Sequence, residues 1–209
     1  MKAFDYNQTY SHTLVELKCL IENEFGSVLN FCNVSKIDRP NLVRTFSRFN
    51  GKDMSVGLFV RCAVALGLMV DDNANGEEAQ LLNLTLRNYL KIDAIAVWSS
   101  MFKFAGHKSG DDYLDTMVGL KAAILTKFGS MKAFCDACGF DRPNLVKVFS
   151  DNSDRELSVG LYIRIASALG VIKKQSIDDS EAQLFNLSLR NFIKVDAMSI
   201  WRTILTVSY

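Results

Sequence analysis

The feature that most restricts the fold of this chain is an internal duplication. The stretch IDRPNLVRTFS at residues 37–47 returns as FDRPNLVKVFS at residues 140–150, which lies 103 positions further along the chain. The same offset aligns residues 14–106 with residues 117–209 without an insertion or deletion. The aligned segments have the usual size of a single domain, about 100 residues. One domain has therefore been duplicated in tandem.

The duplication predicts two domains. Residues 1–108 would hold a short N-terminal arm and repeat 1, and residues 109–209 would hold most of a polar joint and repeat 2. Two repeats are too few for a solenoid, which needs at least three. Hydrophobic residues make up 49% of the chain, with 14 Phe and only 2 Pro. Each repeat therefore has enough apolar side chains for its own core.

Charge and cysteine content restrict the class of protein further. The net charge of +1 is far from that of a strongly basic nucleic-acid binder, so any basic surface has to be local. Five cysteines, with only Cys32 and Cys135 at equivalent positions, suit a reducing compartment better than a disulfide framework. No apolar run is long enough to cross a bilayer, and the N-terminus lacks a secretion signal. We expect a cytoplasmic protein without a membrane partner.

Apolar residues spaced three and four apart predict an all-α fold with five to six helices in each repeat. Thr13 and Glu16 have the form of a capping box, which predicts a helix from Thr13 to a glycine C-cap at Gly26. Residues 107–115 are expected to form the joint between the repeats. Further N-caps are expected at serine and aspartate residues: Ser27, Ser130, Asp38, Asp141, Ser55, Ser158, Asp93 and Asp196.

The third helix carries the duplicated string and is expected to have two different faces. At 100° per residue, Leu42, Phe46 and Phe49 fall on the core side. Mostly polar and charged residues lie opposite or in the first turn: Arg39, Pro40, Asn41, Arg44, Ser47 and Arg48 in repeat 1, and Arg142, Pro143, Asn144, Lys147, Ser150 and Asp151 in repeat 2. Arginine can bond bidentately to guanine and asparagine to adenine, which is the chemistry of a major-groove reader.

Residues 27–68 and 130–171 resemble the lambda-repressor and Cro-like class of helix-turn-helix DNA-binding domains. The resemblance runs through a small second helix, a tight turn at Gly139, the capped third helix and a Ser-capped helix ending in Ala-Leu-Gly. It implies that the second helix crosses the DNA backbone and that the third enters the major groove. The residues implied to contact bases or phosphates are Ser27, Arg39, Pro40, Asn41, Arg44, Arg48, Ser130, Arg142, Pro143, Asn144 and Lys147.

The resemblance further implies a transcription regulator, of the kind found in phages and mobile elements, that binds double-stranded DNA. Two fused domains can imitate a two-fold dimer, with recognition helices about 34 Å apart. Alternatively, one repeat reads DNA in each chain, and residues 76–104 and 179–207 form a homodimer. Repeat 1 is expected to bind more strongly, because Arg48 and Lys52 follow its third helix, whereas Asp151, Asp154 and Glu156 follow that of repeat 2.

Two departures from the family pattern concern the same motif. Val28 and Met131 stand where the family often has a glutamine that contacts DNA. Lys36 stands at the turn position that is glycine in repeat 2, which costs about 1 kcal/mol if the backbone there is left-handed.

Two other functions remain open on this fold. One is a helical protein-interaction module that docks on a polymerase subunit or on another regulator. The other is RNA binding, which exposed aromatic side chains would favour. The pairs Arg87-Asn88 and Arg190-Asn191 are either salt-bridged within their repeats or line a phosphate or protein surface.

Catalysis, metal binding and cofactor binding are not expected. The chain has no glycine-rich phosphate loop, no nucleophile elbow and no paired histidines. Cys135 and Cys138 have CxxC spacing but lack a second such pair, so they are expected to be core thiols. Trp98 and Trp201 are expected to lie in the core or in dimer contacts.

Overall fold

A computed structural model of the chain describes residues 5–47, 52–69, 84–106, 111–150, 155–173, 185–194 and 197–208. The described residues form an all-α fold, which confirms the predicted class, and their β pairing is limited to two isolated bridges. The described helices are α1 (Tyr6–Phe25), α2 (Val28–Ser35), α3 (Arg39–Phe46), α4 (Val56–Ala65), α5 (Leu86–Tyr89), α6 (Ala94–Ala105), α7 (Asp112–Phe128), α8 (Met131–Cys138), α9 (Arg142–Val148), α10 (Val159–Leu169), α11 (Leu189–Lys194) and α12 (Ala197–Ser208).

Short polar side chains start the second, third and fourth helices at the predicted positions. The hydroxyl of Ser27 accepts a hydrogen bond from the amide of Asn30 at 3.1 Å, and the carboxylate of Asp38 accepts one from the amide of Asn41 at 2.9 Å. Such caps satisfy amides that have no partner within the helix. The same role is confirmed at Ser55, Ser130, Asp141 and Ser158. Asp196 lies outside the described residues.

The predicted start of the first helix at Thr13 is wrong. Helix α1 begins at Tyr6, because the carboxylate of Asp5 accepts hydrogen bonds from two amides of the first turn at 3.0 and 3.1 Å. Thr13 lies inside the helix, where its hydroxyl donates to the carbonyl oxygen of Thr9 at 2.8 Å. The predicted end is confirmed, since Gly26 has the left-handed φ of 73° that glycine tolerates.

The joint between the repeats is shorter than the predicted residues 107–115. Helix α7 already begins at Asp112, and Asp111 caps it by accepting from the amides of Tyr113 and Leu114. Asp115, which was expected in the joint, is buried within the first turn of this helix. An acidic first turn favours an early start, because carboxylates stabilise the positive end of the helix dipole.

The chain forms two compact units that exchange their last helices. Unit 1 combines Met1–Ala94 with Lys194–Tyr209, and unit 2 comprises Ile95–Ile193. The last helix of repeat 2, α12, therefore belongs to unit 1, where it packs along α1. The last helix of repeat 1, α6, belongs to unit 2. The division at residue 108 describes the sequence repeats, whereas the compact units depend on the packing of these two helices.

Helix α12 is held in unit 1 by buried polar and aromatic contacts. The hydroxyl of Tyr89 donates to the carbonyl oxygen of Ala197 at 2.8 Å, and its ring lies 6.2 Å from that of Trp201. The hydroxyls of Thr13 and Ser208 are hydrogen-bonded to each other. The apolar face of α12 is buried through Ile200, Trp201, Ile204 and Val207. Trp201 is therefore a core residue of unit 1.

Helix α6 makes a different set of contacts in unit 2. The hydroxyls of Ser100 and Tyr162 are hydrogen-bonded at 2.7 Å, and the ring of Trp98 lies 6.4 Å from that of Phe192. At Gly119 on α7, an added Cβ would lie only 2.1 Å from the carbonyl oxygen of Phe104. Glycine is required at this position because the backbones of α6 and α7 approach so closely.

Candidate nucleic-acid interface

In each repeat the second and third helices, α2 and α3 or α8 and α9, are joined by a tight left-handed turn. Helix α2 ends at Lys36 with φ 58° and ψ 24°, and α8 ends at Gly139 with φ 71° and ψ 30°. The lysine adopts this conformation at a cost of about 1–2 kcal/mol, whereas glycine adopts it without a Cβ penalty. The two units thus place α3 and α9 after the same turn, despite the different residues in it.

An arginine from the fourth helix of each repeat, α4 or α10, contacts the turn. In unit 1, the guanidinium of Arg61 lies 3.5 Å from the carbonyl oxygen of Lys36. In unit 2, the guanidinium of the equivalent Arg164 stacks 4.8 Å from the ring centre of Phe140. A cation over an aromatic face is attracted by the ring quadrupole. These arginines therefore support the turn that orients the third helix of each repeat, α3 or α9.

The third helix of unit 1 has the two faces predicted from the sequence. Leu42 is fully buried, and Thr45 is buried beside it, while Phe46 is half-buried. Phe49, the third predicted core residue, lies outside the described residues. The predicted reading residues Arg39, Pro40 and Arg44 are exposed, and Asn41 is half-buried. The structure thus brings these four together on the solvent side of one short helix.

The equivalent helix in unit 2 repeats this arrangement. Leu145 is 1% exposed and holds α9 against the core. Arg142, Pro143 and Lys147 are exposed, and Asn144 is half-buried. The repetition places four predicted contact residues on the solvent side of each third helix.

The two serines at the starts of α2 and α8 are accessible as well. Ser27 is half-buried and Ser130 is exposed, and each hydroxyl already accepts an amide hydrogen bond as a cap. A serine hydroxyl has one donor and two acceptor positions. Each can therefore keep its capping role and still donate to a phosphate. The remaining predicted contact, Arg48, lies outside the described residues.

Some of the predicted reading side chains also make contacts within the protein. The Nε of Arg44 donates to the carbonyl oxygen of Pro40 at 3.1 Å, which uses one of its five N–H donors. In unit 2, Nη1 of Arg155 donates to Oδ1 of Asn144 at 2.8 Å. Bidentate recognition of adenine needs both the oxygen and the nitrogen of an asparagine amide. Asn144 must therefore release Arg155 before it can bond to a base in this way.

One pair of residues on these helices was not predicted from the sequence. Val43 and Val146 are each 46% exposed and occupy the same position of α3 and α9, directly after the buried leucine. An exposed aliphatic side chain beside reading cations can contact the C5-methyl group of thymine. The available signal was their position, because a residue next to the buried Leu42 turns about 100° away from the core.

The arginines of the Arg-Asn pairs form salt bridges within their units. In unit 1, the guanidinium of Arg87 lies 3.3 Å from the carboxylate of Asp53 and 4.2 Å from the ring centre of Tyr10. In unit 2, the guanidinium of Arg190 lies 3.0 Å from the carboxylate of Glu156 and 4.3 Å from the ring centre of Tyr113. The salt-bridge alternative left open by the sequence therefore describes both arginines.

The tyrosines of these clusters connect three elements of each unit. The hydroxyl of Tyr10 accepts a hydrogen bond from the amide of Met54, and that of Tyr113 accepts one from the amide of Leu157, both at 3.0 Å. Burial raises the pKa of both tyrosines, so both hydroxyls stay protonated around neutral pH. The duplicated cluster has a structural role, since it fixes the loop before the fourth helix.

Four of the five cysteines are buried or half-buried, and Cys19 is exposed. Cys135 is buried and Cys138 is half-buried, and burial raises the pKa of Cys135. Burial also raises the pKa of Cys62 to about 12. Within the described ranges, no group of three His, Cys, Asp or Glu residues is placed to hold a metal ion.

Comparison with known proteins does not assign the chain to a family. No protein-family model matches the chain, and neither a curated protein nor a solved structure matches it. The resemblance to lambda-repressor-like domains therefore stays a prediction. Among the described helices, none is both long and apolar enough to cross a membrane.

Proposed function

We propose that this protein is a sequence-specific double-stranded DNA-binding regulator of transcription that acts in the cytoplasm and uses two lambda-repressor-like helix-turn-helix units. One observation carries the proposal: both units present an exposed Arg-Pro turn and a further cation, Arg44 or Lys147, on a third helix held by a buried leucine. Packing alone does not require arginine at these exposed positions. Arginine there has the donor geometry that recognises guanine in the major groove.

The two third helices are proposed to read bases, and the starts of α2 and α8 to contact phosphate. Helix α2 would lie across the DNA backbone, with Ser27 near a phosphate, while Arg39 and Asn41 enter the groove. Val43 would contribute an apolar contact to a thymine methyl group. In unit 2, Ser130, Arg142 and Val146 would take the same places.

Unit 1 is proposed to be the stronger reader of the two. Around α2 and α3, the cations Lys36, Arg39, Arg44 and Arg61 accompany one described carboxylate, that of Asp38. The equivalent surface of unit 2 carries two, those of Asp136 and Asp141. Asn144 also has to give up its bond to Arg155, as described above. Both differences weaken attraction to a polyanion or to adenine in unit 2.

Duplex DNA is favoured over RNA by the burial of the aromatic rings. Single-stranded RNA is recognised largely by bases stacking on exposed aromatic side chains. On the described α2–α3 and α8–α9 surfaces, Phe31 and Phe134 are fully buried and Phe46 and Phe140 are half-buried. These rings do not form an open stacking platform. RNA binding is therefore an alternative outcome of the test.

A homodimer through the last helices would have to use their outer faces. The inner faces of α6 and α12 are occupied within the units, as shown by buried Val97, Met101 and Ile204. On α6, Ile95 and Phe102 are 37% and 40% exposed and could meet a second copy. Sedimentation equilibrium with and without the Phe102→Ser substitution tests this part of the proposal.

The reading function is tested by measuring binding to a selected duplex over a range of salt concentrations. Arg39→Ala should reduce discrimination at one base pair by about 1–3 kcal/mol. Lys147→Ala should weaken all sequences similarly and lower the salt slope by about one unit. Lys103→Ala, which removes an exposed cation from α6, serves as the control and should leave discrimination unchanged. Wild-type binding by both Arg39→Ala and Arg142→Ala would refute the assignment.

A further inference from the structure

Each unit contains a groove at the same place in its fold. In unit 2 the groove lies between α7, the end of α9 and the loop before α10, and its volume is about 610 Å³. In unit 1 it lies between α1, the end of α3 and the loop before α4, and its volume is about 580 Å³. Each described residue that lines one groove has its equivalent, 103 positions away, lining the other. The duplication has preserved a concave site.

Both grooves keep their cations in the same places. In unit 2 the cations are Lys121, Arg155 and Arg190, and the equivalents in unit 1 are Lys18, Lys52 and Arg87. Arg190 and Arg87 belong to the structural clusters with Glu156 and Asp53. The cations at the other two positions lie on the solvent side of each groove, where they are exposed.

The two grooves differ in how apolar their walls are. Leu114, Leu125 and Val148 line the groove of unit 2, where unit 1 has Ser11, Glu22 and Thr45. Along α7, Leu114, Val118 and Leu125 are 50%, 69% and 43% exposed. The stripe from residue 114 to residue 125 is about 16 Å long at 1.5 Å per residue. Unit 2 therefore has a longer exposed aliphatic wall than unit 1, where only Val15, which is 53% exposed, matches a residue of this stripe.

The difference between Glu22 and Leu125 also changes the surroundings of the lysine in each groove, Lys18 or Lys121. In unit 1, the ammonium of Lys18 lies 3.6 Å from the carboxylate of Glu22, one helical turn away. In unit 2, the position of that glutamate is taken by Leu125. The ammonium of Lys121 instead lies 3.5 Å from the carbonyl oxygen of Phe149, on the opposite side of the groove. An ammonium has three N–H donors, so it can keep this contact and still bind an anion.

We propose that the groove of unit 2 binds a small amphiphilic anion, such as a medium-chain carboxylate. Its apolar body would lie against Leu114, Val118 and Leu125, and its anionic head would bind Lys121 at the middle of the groove. The volume falls within the range of about 300–1,000 Å³ that is usual for ligand sites. The groove of unit 1, with Glu22 beside its lysine, does not bind such an anion, because a carboxylate there repels the head and shortens the apolar wall.

The side chain of Arg155 connects this groove to the asparagine of the predicted reading helix. Arg155 lines the groove and also donates to Oδ1 of Asn144 on α9. An anion that attracts the Arg155 guanidinium would change the availability of Asn144 for a base. This regulatory consequence rests on the proposed function, whereas binding of the anion does not. Binding measured without DNA therefore separates a failure of this inference from a failure of the proposed function.

The binding site is tested by calorimetric titration of the full chain with decanoate below its micelle concentration. Decanol and decyltrimethylammonium have the same alkyl chain with a neutral or a cationic head. We expect one decanoate per chain, about tenfold weaker binding of decanol, and still weaker binding of the cation. Hydrogen exchange should slow in α7 and leave α1 unchanged. Two equal sites, or equal binding of the three compounds, would overturn the proposal.

The duplicated groove supplies its own matched variants. Leu125→Glu gives unit 2 the residue of unit 1 and should weaken decanoate binding at least about tenfold, because the introduced carboxylate would pair with Lys121. Lys121→Gln should weaken decanoate about tenfold and leave decanol unchanged. Both positions are exposed on a helix, and circular dichroism checks that the variants fold. The reverse change, Glu22→Leu, should add a second, weaker decanoate site. Unchanged decanoate affinity in both unit 2 variants would refute the site.

Discussion

Helix exchange makes each unit depend on a helix from the other repeat, and one substitution tests this directly. Ile204 on α12 is fully buried in unit 1, although it belongs to the sequence of repeat 2. Truncating a buried isoleucine to alanine typically costs about 2–5 kcal/mol, because it removes buried surface and leaves a cavity. Ile204→Ala should therefore destabilise unit 1. The equivalent residue of repeat 1, Met101, is 4% exposed on α6, and Met101→Ala should destabilise unit 2.

Native-state hydrogen exchange followed by mass spectrometry resolves the two effects, because it reports local stability segment by segment. For Ile204→Ala, a loss of about 2 kcal/mol would accelerate the slowest amides of Tyr6–Phe25 about 30-fold, while Asp112–Phe128 keeps its protection. Met101→Ala should give the opposite pattern. If Ile204→Ala accelerated only Asp112–Phe128, each repeat would keep its own last helix, and the exchange would be refuted.

Three further substitutions test the packing and the buried groups. Gly119→Ala should destabilise unit 2 by about 1–3 kcal/mol or more in urea unfolding, since its Cβ would collide with the Phe104 carbonyl; wild-type stability would contradict the close approach. Tyr113→Phe should cost about 1–3 kcal/mol by the same assay, because the buried amide of Leu157 loses its acceptor; an unchanged midpoint would argue against that bond. Burial raises the pKa of Cys62 to about 12, so the folded state keeps the thiol neutral. Below about pH 9 the unfolded state also keeps it neutral, and this group causes no loss of stability there. Stability should then fall by up to about 1.4 kcal/mol per pH unit towards pH 12, and Cys62→Ala should flatten this slope; an unchanged slope would contradict the burial of the thiol.

The sequence predicted those features that depend on neighbouring residues. The caps at Ser27 and Asp38, the glycine end at Gly26 and the buried Leu42 each follow from the chemistry of a few adjacent positions. The free-energy cost predicted for a left-handed backbone at Lys36 also depends only on that residue and its turn, and Lys36 has the expected positive φ of 58°. The same reasoning misplaced the start of α1, because Thr13 has the form of a cap while its hydroxyl bonds within a helix that Asp5 had already begun.

The exchange of the last helices could not be predicted from the sequence. Helices α6 and α12 come from equivalent positions of a duplication, so their apolar patterns are compatible with either unit. Local periodicity fixes which face of such a helix is buried, but not the copy against which it packs. The distinguishing contacts join distant residues, such as Tyr89 with Ala197 and Ser100 with Tyr162.

The residues of the candidate interface could be predicted because their exposure depends on helical periodicity, which is a local property. Their contacts with distant residues could not be predicted. The exposure of Arg39 and Arg44 follows from helical periodicity around Leu42. The bond from Arg155 to Asn144 joins residues on opposite sides of a loop, so spacing alone gives no sign of it. Nor does residue type show that Arg87 is bound by a carboxylate 34 positions earlier in the chain.

Selection of bound sequences from a random pool of duplex DNA tests the central claim most directly. The intact chain should enrich a short motif with guanine at a fixed position, and Arg39→Ala should lose the preference for that guanine. Reading by both units would enrich two related half-sites, and reading by one unit would enrich a single motif. If the wild-type chain enriches no motif from the duplex pool, the claim that its third helices read duplex DNA is wrong. Binding of single-stranded RNA in a parallel measurement would then favour the RNA alternative.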